Sequence, residues 1–174
     1  MPHPQGAHGG RLQALKPHNN RVKRNMEAGE PIIIDGENAV LGRLASFAAK
    51  RALEGREVII VNAEKVAVSG TKERILKDIM KRFKTRTLGS LEKSPVHYRR
   101  PDRYVRRAVR GMLPWKQAKG REAYKRVKVY MGIPSELEGK STVKVRPEDS
   151  ASKLKCPWVR IGDLAREIGG SSRR

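Results

Sequence analysis

Hydrophobic residues follow two different patterns in the first third of the chain: continuous runs and a helical spacing. The segments 31–36 (PIIIDG) and 58–61 (VIIV) are continuous apolar runs bounded by polar turns, which predicts short buried β-strands. Between them, one helix face is predicted by apolar residues at the i, i+3, i+4, i+7 spacing: Leu41, Leu44, Ala45, Ala48 and Ala52. We expect Asn38 to be the N-cap of this helix and Gly55 to end it. The strand–helix–strand order favours a parallel sheet covered on both faces, and VAV at 66–68 predicts a further strand.

A second amphipathic helix is predicted from its cap at Thr71 to about Phe83. Its apolar face, which we expect to pack on the sheet, consists of Ile75, Leu76, Ile79, Met80 and Phe83. The opposite side is cationic and carries Arg74, Lys77, Lys81 and Lys84. This helix is therefore expected to join the core to a charged surface.

Charged and apolar residues alternate most densely in RRAVRGMLPWK, residues 106–116. A helix with Asp102 as its N-cap separates the two classes in space. One face then carries Arg103, Arg106, Arg107 and Arg110, and the opposite face carries Val105, Ala108, Val109 and Met112. We expect Gly111 and Pro114 to end this helix.

The other segments complete the expected organisation. Residues 85–103 are predicted as loop, 116–126 as helix, 126–132 as strand, 133–157 as irregular and 158–170 as a short strand followed by a terminal helix. We interpret residues 1–30 as an extended basic N-terminal tail, 31–170 as a single α/β RNA-binding domain and 171–174 as a C-terminal tail.

Charge narrows the class of partner. The formal net charge is +21, and residues 99–128 hold twelve Lys/Arg against two Asp/Glu, a net charge of +10. Such self-repulsion favours an anionic partner. No apolar run is long enough to span a membrane, and a single cysteine, Cys156, fits a reducing compartment. We therefore expect a cytoplasmic protein that binds a polyanion.

Arginine and aromatic residues point to RNA as that polyanion. Arg outnumbers Lys by eight to four in residues 99–128, and guanidinium groups bond phosphate in bidentate fashion. Rings lie among these cations, which suits RNA because unpaired bases stack on aromatic side chains. Trp115 is the best stacking candidate, with packing at a helix–helix junction as the alternative. The candidates from this segment and its border include His97, Arg99, Arg100 and Arg103 as well as the residues named above.

Enzyme and metal chemistry are weakly supported. The segment DGENAVLGRLAS begins like a phosphate loop, but Gly42 is followed by Arg43 where a Walker motif needs Lys. We expect Gly42 to allow close packing of helix on sheet, and Asp35 and Glu64 to serve in caps and turns. Cys156 is interpreted as a bystander thiol. The tail histidines, of which His8 is one, have no cysteine partners, and we predict neither a metal nor a cofactor.

Three segments carry a family resemblance. They are IIIDGENAVLGRLAS (32–46), EVIIVNAEKVAVSG (57–70) and RRAVRGMLPWKQAKGREAYKRVKVYMGIP (106–134). Together they make the chain similar to the large-subunit ribosomal protein L13 family over roughly Pro31–Gly170, and Pro-Trp-Lys with the closing VRIGDLAREIGG looks like archaeal members. Residues 1–25 depart from the family, whose chains usually begin just before the first strand.

The resemblance implies a three-layer α/β/α fold around a parallel four-stranded sheet. It also implies binding to large-subunit ribosomal RNA beside neighbouring ribosomal proteins, support of early subunit assembly, and no catalytic activity or small-molecule substrate. Carried over residue by residue, the RNA-facing set is Arg43, Arg106, Arg107, Arg110, Lys116, Lys119, Arg121, Arg126 and Lys128. Two alternatives remain open: a free-standing RNA-binding chaperone and a nucleotide-using α/β enzyme.

Overall fold

A computed structural model describes residues 31–90, 92–144 and 150–170. The predicted tails at 1–30 and 171–174 lie outside these residues. In chain order the elements are β1 (Ile32–Asp35), α1 (Leu41–Leu53), β2 (Val58–Val61), β3 (Ala67–Ser69), α2 (Lys72–Lys84), α3 (Pro101–Met112), α4 (Ala118–Lys125), β4 (Val127–Val129), β5 (Val143–Lys144), β6 (Trp158–Arg160) and α5 (Ile161–Glu167). Short 3-10 helices occupy Ala63–Lys65, Ser135–Leu137 and Ala151–Lys153.

The main sheet has four parallel strands in the order β4-β2-β1-β5. This confirms the expected α/β fold with a parallel sheet of about four strands. The predicted strand after β2 also exists, but as β3 it pairs with β6 in a separate antiparallel ribbon. The prediction that residues 133–157 are irregular is wrong at β5, because two residues are too few to show a periodicity.

The two faces of the sheet are covered differently. Alternate side chains of the strands, among them Ile34, Ile60 and Val127, point to the side covered by α1, α3 and α4. Ile33 and Ile59 form a smaller cluster on the opposite side, with Val61 and with Leu137 of a 3-10 helix. Burial on both sides is why β1 and β2 read as continuous apolar runs.

Helix α1 buries the predicted apolar face, with Leu44, Ala45, Ala48, Ala49 and Ala52 in the core. The prediction of Asn38 as its N-cap is wrong. Asn38 has a left-handed backbone with φ of 55°, and the helix begins three residues later, after Val40. Asn tolerates this conformation better than most residues, so the same side chain suits a turn as well as a cap. Gly55, with φ of 98°, follows the helix as predicted.

The glycine at which the backbone approaches the core closely is Gly36, and not Gly42 as predicted. Gly42 is exposed, and a Cβ added there would meet nothing within 4 Å, so its expected packing role is wrong. A Cβ on Gly36 would lie 2.8 Å from Cγ2 of Val66 and 2.9 Å from the carbonyl oxygen of Val61. The turn after β1, and not the start of α1, is therefore where a side chain is excluded.

Helix α2 begins after Thr71 as predicted, but the expectation that it packs on the sheet is wrong. Neither core cluster of the described residues contains one of its side chains, and Met80 is 44% exposed. Its buried residue, Ile79, instead lies beside residues 96–98 and α3. Amphipathicity predicts that a helix has an apolar side, but it does not identify the element on which that side packs. The sheet face that contains Ile34 and Ile60 is already covered by α1, α3 and α4.

Helix α3 begins two residues earlier than predicted. Pro101 takes the first helical position, and Asp102 lies in the first turn instead of capping it. Val105 and Val109 are fully buried, whereas Met112, at 50% exposed, lies outside the buried face predicted for it. The predicted α4, β4, β6 and α5 are all present. None of the helices in the described ranges is long and apolar enough to cross a membrane.

Candidate nucleic-acid interface

The arginines of α3 divide into exposed and ring-supported pairs. Arg103 and Arg107 are exposed, whereas Arg106 and Arg110 are half-buried. The guanidinium carbon of Arg106 lies 4.6 Å from the centroid of Tyr124, and that of Arg110 lies 4.0 Å from the centroid of the Trp115 ring. Cations over ring faces are attracted by the ring quadrupole. The inner arginines are therefore held against α4 and the turn that precedes it.

Trp115 packs at the junction of α3 and α4. Its ring meets Tyr124 edge-on, with centroids 5.1 Å apart and planes at 89°. The turn is tight, since a Cβ on Gly120 would overlap the carbonyl oxygen of Pro114. Of the two interpretations of Trp115, the geometry favours junction packing; its role as a stacking platform for a base stays a prediction.

Few carboxylates neutralise this surface. Within the candidate set, Arg100 has its Nε 3.3 Å from Oδ1 of Asp102, and Lys128 lies 3.8 Å from Glu57. The Arg100–Asp102 contact is close enough for an ion pair but is not aligned as a hydrogen bond, because Oδ1 of Asp102 has no hydrogen-bond partner. Elsewhere, Arg51 pairs with Glu54.

The arginines of α3 differ from those paired positions. In the part of the chain that the structure describes, Arg103, Arg107 and Arg110 form no ion pair with a carboxylate. Nε of Arg106 is buried without a hydrogen-bond partner. The positive charges of these arginines are therefore available to an external anion or are solvated by water.

The remaining candidates lie on neighbouring elements. The cations predicted for α2, namely Arg74, Lys77, Lys81 and Lys84, are exposed. Exposed positions also hold Arg43 on α1, Arg99 before α3, and Lys116, Lys119, Arg121 and Lys128 from the turn to β4. Arg126 is half-buried, and its Nη1 donates a long hydrogen bond of 3.5 Å to the carbonyl of Ala52. This contact ties Arg126 to the end of α1.

Aromatic side chains and cations meet in a pocket between α2, residues 96–98 and α3. Its aromatic lining is Phe83, His97, Tyr98 and Tyr104, and Arg82 and Arg107 contribute the cations. The rings of Phe83 and His97 are 5.5 Å apart, and His97 Nε2 lies 3.3 Å from the carbonyl oxygen of Thr85. We call this the aromatic pocket.

The sequence indicates only part of the aromatic pocket. It makes His97 a candidate and places rings among the cations, but it does not connect Arg82 and Phe83 with them. Arg82 falls outside the predicted cationic side of α2, and the periodicity predicts Phe83 on the core-facing side. The available signal was the run Val-His-Tyr-Arg-Arg after a Pro-containing loop, which places rings beside cations.

Tyr104 is half-buried and lines the aromatic pocket. Burial raises the pKa of its hydroxyl, and the nearby charge of Arg82 lowers it in part. The hydroxyl therefore remains protonated at neutral pH, where it can both donate and accept a hydrogen bond.

Carboxylates near the sheet serve local structure. Oδ1 of Asp35 accepts hydrogen bonds from the backbone N–H of Glu37 at 3.0 Å and from Nδ2 of Asn62 at 2.9 Å. The carboxylate of Glu64 accepts the N–H of Gly132 at 3.0 and 3.2 Å. The predicted roles of Asp35 and Glu64 in turns are confirmed. Cys156 is exposed, and the ranges that the structure describes hold no group of three or more potential metal ligands.

Comparison with known proteins gives a consistent match. The family model for Ribosomal protein L13 matches residues 30–136. The chain is 44% identical over 138 residues to the large ribosomal subunit protein uL13 of Methanosphaera stadtmanae, covering 79% of this chain and 96% of that protein. It is 43% identical over 142 residues to the protein of the same name from Methanopyrus kandleri, covering 79% and 86%. With the one from Methanosarcina barkeri it shares 41% over 138 residues, covering 79% and 96%.

Proposed function

The chain belongs to the ribosomal protein L13 family, and from this membership we propose that it is a structural, non-enzymatic component of the large ribosomal subunit in the cytoplasm. It binds large-subunit ribosomal RNA through its basic helices, supports assembly of the subunit and adjoins other proteins of that subunit.

The observation that carries this proposal is the uncompensated arginine face of α3. Three of its arginines have no carboxylate partner within the described residues, in a chain whose net charge is +21. Leaving so much like charge together is unfavourable unless an anion covers it. The phosphates of a folded RNA supply charge at the required density.

The contacts of Arg106 and Arg110 suggest how the face acts. Rings hold both guanidinium groups in place before any partner arrives, so less side-chain entropy is lost on binding. The two fixed arginines set the position of α3 on the RNA, and the exposed Arg103 and Arg107 add phosphate contacts. Because phosphate contacts carry no sequence information, selectivity comes mainly from the shape of the RNA.

The proposed RNA-facing surface extends beyond α3. It includes the cations of α2, the turn and α4, and the set is Arg43, Arg74, Lys77, Lys81, Lys84, His97, Arg99, Arg100, Arg103, Arg106, Arg107, Arg110, Trp115, Lys116, Lys119, Arg121, Arg126 and Lys128. Within it, Arg126 and Trp115 also hold elements of the protein together.

Sedimentation of a tagged chain from cell lysate tests the proposal. A subunit component stays with the large particle at moderate salt. A free-standing RNA chaperone washes off as salt rises, and an enzyme remains in the supernatant. Either of the last two outcomes would contradict the proposed function.

A further inference from the structure

We propose that the aromatic pocket receives a single unpaired nucleobase extruded from a folded RNA. The proposal rests on the proposed function, because it assumes that RNA covers this face. It adds a defined subsite between α2, α3 and the loop before α3 that holds one exposed base of any identity, in contrast to the phosphate contacts of the arginine face.

The walls of the pocket match the flat, apolar faces of a base. Phe83 supplies a ring from α2, His97 and Tyr98 supply rings from the loop, and the buried Ile79 adds an apolar side chain to the lining. Bases that are not paired stack on such side chains, and this attraction depends little on which base is present.

The volume of the pocket suits a chemical group smaller than a whole nucleotide. Its volume is about 180 Å³, below the roughly 300 Å³ at which pockets for drug-sized ligands begin. A base can enter while its sugar and phosphate remain outside. We expect a paired base to be excluded, because its partner strand keeps it from entering the pocket.

Cations surround the opening. Arg82 and Arg107 line it from α2 and α3, and Arg99 lies with its guanidinium carbon 5.3 Å from the centroid of Phe83. The guanidinium carbon of Arg107 is 6.0 Å from the centroid of Tyr98, at the outer limit of a cation–ring contact. This contact is therefore weak, and the guanidinium group can turn to bind a phosphate. No Asp or Glu is among the described residues that line the pocket.

The lining also offers a polar group to the edge of a base. Tyr104 lines the pocket, and its hydroxyl can both donate and accept a hydrogen bond. Val96, in contrast, is 62% exposed although it borders the pocket, which leaves apolar surface for an incoming ring to cover.

Two RNA hairpins of the same length test the proposal with the full chain. One carries 2-aminopurine as a single-nucleotide bulge, and in the other the same 2-aminopurine is paired. We expect about ten-fold tighter binding of the bulged hairpin and a change in its fluorescence that the paired hairpin does not show. A generic bulge suffices, since stacking tolerates any base.

Two variants assign the effect to the pocket. Phe83→Leu and Tyr98→Leu each remove a ring but keep apolar volume, and each should reduce the preference for the bulge to less than about three-fold. The matched control is Tyr130→Leu, which removes an exposed ring that follows β4 and does not line the pocket; it should leave the preference unchanged. Circular dichroism shows whether each variant is folded. If only one of the two pocket variants folds, that variant alone is sufficient to test the role of the pocket.

The outcomes separate this proposal from the proposed function. Equal binding of the two hairpins by the unmodified chain would overturn the base pocket while leaving RNA binding intact. A bulge preference that survives in both folded pocket variants would do the same. Failure to bind either hairpin or large-subunit ribosomal RNA at low salt would overturn both proposals.

Discussion

The guanidinium of Arg110 lies over the ring of Trp115, at 4.0 Å from its centroid, and this contact connects α3 to the turn that follows it. Trp115 meets Tyr124 of α4 on another side, and Tyr124 in turn lies under Arg106. Two of the four arginines of α3 are therefore supported by rings that belong to the turn and to α4.

A double-mutant cycle measures the support that Trp115 gives to Arg110. We expect Arg110→Gln and Trp115→Leu to be coupled by about 0.5–2 kcal/mol in the free energy of unfolding, because either change alone removes the contact. Urea denaturation of the four proteins gives this coupling. The control cycle combines Arg110→Gln with Trp158→Leu on β6, where additivity is expected. Additivity in the first cycle as well would show that the contact contributes nothing.

Neutralising the arginine face should weaken RNA binding more than it weakens the fold. In the triple variant Arg106→Gln, Arg107→Gln and Arg110→Gln, three phosphate contacts are lost. The slope of log K against log salt should become shallower by roughly two to three units. Titrations of large-subunit ribosomal RNA at several salt concentrations measure the slope, and the melting transition should remain cooperative.

A second triple variant with the same change in net charge tests whether net charge alone changes the salt dependence. Arg51, Lys65 and Arg166 each already face a carboxylate, at Glu54, Glu37 and Asp163 respectively. Replacing these three cations with Gln removes the same formal charge but should change the slope by much less. Equal slopes for the two triple variants would mean that RNA responds to total charge and not to the face of α3.

A carboxylate inside the core should distinguish the two sides of α3. Val109 is fully buried, so Val109→Asp places an unpaired charge in the core and should destabilise the protein by about 3 kcal/mol or more. Met112→Asp is the same substitution type one turn later, at a position 50% exposed, and should cost far less. Thermal melting compares the two, and similar losses would contradict the orientation of the helix.

Local pattern predicted the elements of this fold better than it predicted their partners. The apolar runs of β1 and β2 and the alanine-rich face of α1 show their burial directly in the sequence. Helix α2 has an equally clear apolar side, yet it packs on a loop and α3, since nothing in a periodicity specifies what covers a face. The two-residue strand β5 exists because β1 offers it an edge, a tertiary effect that leaves no local signal.

The candidate interface shows the same limit. The segregation of arginine from valine on α3 followed from helical spacing alone, and Val105 and Val109 confirm it. The ring beneath Arg106 comes from α4, and the aromatic pocket joins residues from α2 and α3 with the loop between them. Such contacts depend on how elements cross, which spacing within one element does not determine.

Two glycines of neighbouring helices should respond in opposite directions to the same substitution. At Gly120 a methyl group would collide with the backbone carbonyl of Pro114, which can give way only if α4 moves off the Trp115 turn. Gly120→Ala should therefore destabilise the protein by about 1–3 kcal/mol, the usual cost of overpacking. Gly111 lies exposed within α3, with nothing within 4 Å of an added Cβ. Gly111→Ala should stabilise by about 0.5–1 kcal/mol through helix propensity. Urea denaturation gives both values, and a neutral Gly120→Ala would mean that α4 packs less tightly on the turn than its geometry requires.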